Sequence, residues 1–199
     1  MSKSFVARKL IAQGAALSRL RRKLHRAGPP AGMDRNTEWA MDLTEIRGKV
    51  HVPHLLLGLI DHGTRACLAL HELADKRSRT IWQELLALFK KYGIPKRLRV
   101  DNEASFNSKW LKCVLRLLCA RLITTTPHSP WQNGRIERLF RTFKEDFRKV
   151  VAGDLALRLR EWRWHYNFAR PHMAISYCTP AEAWDGRCKA TGPGVQFCL

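Results

Sequence analysis

Three carboxylates stand out by the elements that carry them. Asp42 falls within the first predicted strand, Asp101 at the end of the fourth, and Glu137 early in a long helix. Glu137 is an acid among cations, flanked by Arg135 and Arg138, with Arg141 and Lys144 one and two turns further on. Acids gathered from separate elements can hold hard divalent cations, which take oxygen ligands. Two such ions can neutralise a phosphoryl group, activate an oxygen nucleophile and stabilise a leaving oxygen. With 17 Asp and Glu in the chain, spacing alone selects none of them.

Helix periodicity separates two readings of Glu137. Ile136, Phe140, Phe143 and Phe147 mark a buried stripe, while Gly134, Glu137, Arg141, Lys144 and Arg148 share another face. A helix built for surface ion pairs mixes acids and bases along that face, each pair worth only about 0.2–0.5 kcal/mol. One acid followed by cations at one-turn intervals suits a metal ligand beside phosphate-binding side chains. Arg135, Arg138, Arg141, Lys144 and Arg148 are the candidate DNA-backbone contacts. In the first strand, alternation puts Asp42 and Thr44 on one face and Glu45 on the other. Asp61, before a turn, reads as a structural carboxylate.

Charge points the same way. Thirty-six Lys and Arg against 17 acids give +19, which favours a polyanion, nucleic acid ahead of an anionic membrane surface. "VPHLLLGLI" is the longest apolar run and is strand-sized, well short of the ~20 residues that span a bilayer. The six cysteines form no CxxC pair and are expected as free thiols packing as small apolar groups. His51 and His54 lack cysteine partners at zinc-finger spacing.

The elements that must position these residues follow in order. Residues 1–33 read as a basic segment, either a linker or the remnant of a DNA-binding domain, stopped at Gly28-Pro29-Pro30. "TEWAMDLTEI", "HLLLGLID" and "TRACLALHEL" read as three strands, the last two joined through a "DHG" turn. A helix over about 78–92 carries Ile81, Leu85, Leu88 and Tyr92 on one face and stops at Gly93 and Pro95. "KRLRVD" is a strand, a helix starts from an Asn107 or Ser108 cap, and "ARLITTT" is a fifth strand. Helices over about 131–151 and 154–169 follow, and residues 186–199 form a loosely structured tail. The pattern β-β-β-α-β-α-β-α-α describes an α/β chain with a five-stranded mixed sheet flanked by helices.

"WAMDLT", "VDNEASFNS" and "HSPWQNGRIERLFRTFKE", in that order, resemble the catalytic signatures of the integrase core of DDE recombinases. This family comprises retroviral integrases and bacterial insertion-sequence transposases. "HYNFARPHMAISYCTPAEAW" resembles the segment that closes the core in the bacterial members. The resemblance spans about residues 36–185 and implies a ribonuclease H-like fold, with a core placed at 34–185. It further implies that Asp42, Asp101 and Glu137 are catalytic and hold Mg²⁺ or Mn²⁺, as two ions, with Thr44, Asn102, Asn133 and Gly134 in support. The implied function is metal-dependent DNA strand cleavage and strand transfer. The implied partners are double-stranded DNA, as element ends and target, and further copies of the chain on that DNA. No membrane is implied, and the location is the cytoplasm and nucleoid of a bacterial cell. His128 stands just before the Glu137 helix, and Arg170 and His172 serve packing and DNA approach.

The sequence also departs from the family pattern. Glu103 occupies a place where the family has Gly, so a positive φ there would strain the backbone. The 33 leading residues are too few for a complete end-recognition domain. A catalytically degenerate or truncated DNA-binding copy of the same fold is therefore the alternative reading.

Overall fold

The computed structural model describes residues 33–47, 53–103, 105–106, 108–125, 133–147 and 154–188. The chain divides into two compact units, Met1–Gly32 and Met33–Leu199, and every described residue belongs to the second. The expectations for the basic segment up to residue 32, His128, Trp131, Gln132, Arg148 and the tail from residue 189 lie outside the described residues.

Apolar residues on both faces of the central strands dictate a sheet covered on both sides. Strands β1 (Glu38–Arg47), β2 (Pro53–Asp61) and β3 (Cys67–Glu72) form an antiparallel meander. Strands β4 (Arg97–Val100) and β5 (Arg121–Thr124) add beside β1 in parallel, giving the order β3-β2-β1-β4-β5. Trp39, Met41, Leu57 and Leu59 face helices α1 (Ser78–Tyr92) and α2 (Lys109–Leu117), with Ile81, Leu85 and Leu111 completing that core. The other face carries Ala40, Ile46, Leu56 and Ile60. It buries Ile136, Phe140 and Phe143 of α3 (Gly134–Phe147) and Leu159 and Tyr166 of α4 (Leu155–Phe168). Each such Leu, Ile or Phe contributes about 1.5–3 kcal/mol when fully buried.

Local chemistry sets the boundaries. Gly93, at φ 87°, ends α1. Of the two candidate caps for α2, Ser108 does the work, its side chain accepting from the Leu111 N–H at 3.2 Å. Asp154 caps α4 through the Ala156 N–H. Helix α3 starts at Gly134, after a turn at Asn133, three residues later than the pattern suggested. The short helix α5 (Pro180–Trp184) was not anticipated; Thr179 and Glu182 form a reciprocal capping box there. The β2–β3 connection is longer than a "DHG" turn. Asp61 is fully buried and its carboxylate accepts from the N–H groups of Asn36, Gly63 and Thr64, while the positive φ falls on Arg65.

The cysteine expectation needs correction. Cys178 and Cys188 form a disulfide, because α5 returns the chain onto the turn at residues 172–178. Cys67, Cys113 and Cys119 are free.

Candidate active site

Strand alternation fixes where Asp42 points. Ala40 and Ile46 face α3 and α4, so Asp42 and Thr44, at the same parity of β1, face that side too. Glu45, of opposite parity, reaches Lys76 at 3.2 Å. Strand β4 runs parallel to β1 with Glu38 opposite Arg97, Ala40 opposite Arg99 and Met41 opposite Val100. Continuing that register by one residue sets Asp101 alongside Asp42.

Helix α3 is drawn close by a missing side chain. Gly58 lies directly across from Asp42 in the β1–β2 ladder. A Cβ on Gly58 would stand 2.5 Å from the Phe140 ring and 3.4 Å from Ile136 Cδ1. The glycine thus lets Phe140 seat on the strand, one turn after Glu137 on the same helix. Lone glycines in apolar strands signal such approaches, and "HLLLGLID" carries one.

The electrostatics register the result. Burial is the main cause that raises the Asp42 carboxyl, to about 6. The charges of Asp101, Glu103 and Glu137 add to it, against a hydrogen bond from the Leu43 N–H at 2.8 Å. The three carboxylates named from sequence therefore share one field, together with a fourth, Glu103. The Glu103 side chain is one-third exposed and lies 3.8 Å from Lys76, which bridges it to Glu45. Its backbone is not among the positive-φ residues, so the strain considered above is absent.

Supporting groups hold the Asp101 loop. The Thr125 hydroxyl donates to Asp101 Oδ1 at 3.1 Å, and the Asn102 amide donates to the Thr125 carbonyl at 2.8 Å. Asn102 therefore ties the loop to the end of β5. Asn133 is buried; its carbonyl accepts from the N–H groups of Ile136 and Glu137 and its side-chain Oδ1 has no partner. Gly134 has open space where a Cβ would stand, so packing does not require glycine there.

The predicted DNA-contact cations divide into two groups. Glu137 and Arg141 are exposed and Lys144 is half-buried. Arg135 turns inward and donates to the His62 carbonyl at 3.1 Å, and with Arg138 it lines a separate cavity. A buried ionic cluster that sequence reasoning missed lies below. Glu38, 4% exposed, pairs with Arg99 at 2.8 Å, Arg97 at 2.9 Å and His62 at 3.1 Å. Burial opposes its ionisation, but the Arg99 hydrogen bond and the surrounding cations hold its carboxyl below the ordinary value. Burial and the charge of Arg135 push His62 down to about 3.

Oxygen donors of this kind suit Mg²⁺ or Mn²⁺ chemically, and a cation would relieve the repulsion that lifts Asp42. Among the described residues, no group of three His, Cys, Asp or Glu is drawn tightly enough to hold a metal ion as the side chains stand. Side-chain rotation at the exposed Asp101 and Glu137 would have to complete the set.

This mixed sheet, with its two helical layers, is a ribonuclease H-like fold, the fold of retroviral integrase catalytic cores. A family model described as integrase core domain matches residues 118–180. The chain is 29% identical over 129 residues to the Pol polyprotein of Radiation murine leukemia virus (strain Kaplan), covering 63% of this chain and 21% of the polyprotein. It is 31% identical over 118 residues to the Gag-Pol polyprotein of Feline leukemia virus, covering 58% and 7% respectively. The chain thus spans a small part of these relatives. Among solved structures, a simian T-cell lymphotropic virus intasome aligns with TM-score 0.63 and 19% identity over 83% of this chain and 59% of that one. The HTLV-2 integrase catalytic core domain in complex with magnesium aligns with TM-score 0.58 and 18% identity, over 77% and 97%. Together these likenesses support an integrase-type core.

Proposed function

We propose that this chain is the catalytic core of a DDE-type DNA recombinase that cleaves a DNA strand and transfers its 3′ end to target DNA. The observation that carries the reading is that Asp42 sits within reach of the charges of Asp101, Glu103 and Glu137, which add to the burial that chiefly lifts its carboxyl to about 6. Repelling carboxylates brought together from two strands and a helix are costly unless a cation binds among them. In this reading Asp42, Asp101 and Glu137 hold Mg²⁺ or Mn²⁺, as two ions. When bound, such ions supply charge neutralisation at the scissile phosphate and an activated oxygen nucleophile at neutral pH.

The remaining roles belong to the chain itself. Thr125 and Asn102 orient Asp101, and Gly58 admits the helix that brings Glu137. Arg141 and Lys144 track the DNA backbone, and Arg148 is assigned the same role from its sequence spacing. The partners are double-stranded DNA and further copies of the chain, since the HTLV-2 core is described in dimeric and trimeric forms. The words "HYNFARPH" and "TPAEAW" favour the insertion-sequence branch, and with it action at a bacterial nucleoid. Residues 1–33 serve as a basic linker toward DNA, ahead of a core over 34–185.

Strand transfer tests the reading. Asp42→Asn, Asp101→Asn and Glu137→Gln should each abolish Mg²⁺-dependent transfer of a labelled duplex end while leaving duplex binding within about twofold. Affinity should fall steeply with salt, because phosphate contacts release counterions. Undiminished transfer by any one of these variants removes that residue from the site. The second reading, a DNA-binding copy without catalysis, draws on Glu103, whose charge bears on Asp42 more than that of Glu137 does. Duplex binding with no cleavage in either Mg²⁺ or Mn²⁺ selects it.

A further inference from the structure

A second concentration of charge lies around α3, apart from the carboxylates. Arg65, Arg135, Arg138 and Arg170 line a cavity of about 310 Å³ whose wall includes Tyr166 and His172. Among the described residues no Asp or Glu lines it. The acids nearby offset only part of this charge: Asp61 is spent on hydrogen bonds within its own turn, and Asp146, which also accepts from the Trp162 indole N–H, pairs with Arg170 at 3.6 Å. Arg138 has no ion-pair or hydrogen-bonding partner among the described residues. His172 Nε2 is buried without a partner, and its ring meets Tyr166 edge-on at 4.8 Å.

These cations work against one another. Burial, then the charge of Arg135, holds Arg65 down at about 10. Burial, then Arg170, Arg65 and Arg138, holds His172 down at about 4. Four arginines with only Asp146 paired to one of them leave a net positive cavity wall, which an anion would balance. Planar guanidinium groups give paired donors that match the oxygens of a phosphate. More guanidinium donors converge here than the two oxygens of a carboxylate can accept.

We propose that this cavity binds a single phosphate group through Arg65, Arg138 and Arg170, with His172 and Tyr166 forming its wall. The cavity is larger than a phosphate alone requires, so the group is carried on a nucleotide-sized body. That body is a free mononucleotide or one nucleotide of a DNA strand, and the recognising chemistry is the same in both. The site does not depend on the carboxylates or on a metal.

The test uses the full chain in EDTA, which separates it from any metal-dependent chemistry. Thermal melts compare sodium phosphate with sodium chloride at equal ionic strength, then a deoxynucleoside 5′-monophosphate. Duplex affinity is measured at one fixed salt concentration. The parent should show a saturable rise in Tm with phosphate or the mononucleotide, and Arg138→Gln/Arg170→Gln should lose it, while Arg116→Gln, on the exposed side of α2, should keep it. Loss of duplex affinity by about tenfold in the double variant, with no mononucleotide response in the parent, assigns the phosphate to a DNA strand. Thr142→Glu, which places an acid at the cavity wall without removing an arginine, should reproduce the loss and guards against misfolding of the double variant. Equal Tm responses and equal duplex affinities in parent, double variant and Thr142→Glu overturn the proposal.

Discussion

Phe140 occupies the space that a side chain at Gly58 would take, with its ring 2.5 Å from where a Cβ would be built. Because Gly58 is the ladder partner of Asp42, this one absence sets how near α3 comes to the strand bearing the first carboxylate. Gly58→Ala should push the ring and its helix outward and cost about 1–3 kcal/mol, the usual range for overpacking. Urea denaturation measures the cost. Combining it with Phe140→Leu should recover part of the stability, which a loss caused by backbone propensity alone would not do.

Asp42 gives a pH prediction with a definite sign. Burial, with the neighbouring carboxylates, lifts its folded carboxyl from the ordinary 3.8 to about 6. Between these values the folded state keeps a proton that the unfolded state has lost. The group's contribution is therefore fully present below about pH 4 and is lost as pH rises through 6. Asp42→Asn should remove that slope and stabilise the protein at pH 7 by on the order of 2 kcal/mol, after allowance for partial exposure. Urea midpoints of both proteins from pH 4 to pH 8 provide the check, and parallel profiles would contradict the assignment.

Glu103→Gln should lower the titration midpoint of Asp42, since one of the three neighbouring charges is removed. Stability should change by no more than about 0.5 kcal/mol, because the Lys76 pair it breaks is long, at 3.8 Å, and partly exposed to solvent. Carboxyl carbon shifts followed by NMR through pH 4–8 report the midpoint directly. An unmoved midpoint would place Glu103 outside the field of the site.

Glu38→Gln should be far more damaging. It strips the counter-charge from Arg99 and Arg97 while leaving them against the sheet, and breaking a buried pair from one side costs about 3 kcal/mol or more. Thermal or urea unfolding measures it. A loss below 1 kcal/mol would mean that water already screens the cluster.

Much of this architecture was legible in the residues. Among the described residues, apolar runs and turn punctuation located the five strands and four of the five α-helices, and alternation along β1 put Asp42 and Thr44 on one face and Glu45 on the other. What escaped depends on tertiary approach. Gly58 is meaningful only once Phe140 is known to cross it. Glu38 read as one more strand residue until β4 aligned Arg97 and Arg99 beside it. Helical periodicity placed Arg135 and Arg138 beside Glu137 in sequence, yet the β2–β3 turn and the segment at residues 170–174 draw them to a different cavity. The Cys178–Cys188 bond follows from the return of α5, which carries no spacing signature.

The central claim is that Asp42, Asp101 and Glu137 close around a divalent cation. A crystal structure of the full chain grown with Mn²⁺, with anomalous scattering recorded at the manganese edge, tests it most directly. The account predicts manganese peaks bonded to oxygens of Asp42, Asp101 and Glu137, at about 2.0–2.2 Å as for hard cations of this size, and no peak bonded to Asp42 in the Asp42→Asn variant. Manganese held elsewhere, with these carboxylates still apart in crystals of a strand-transfer-active preparation, would contradict it.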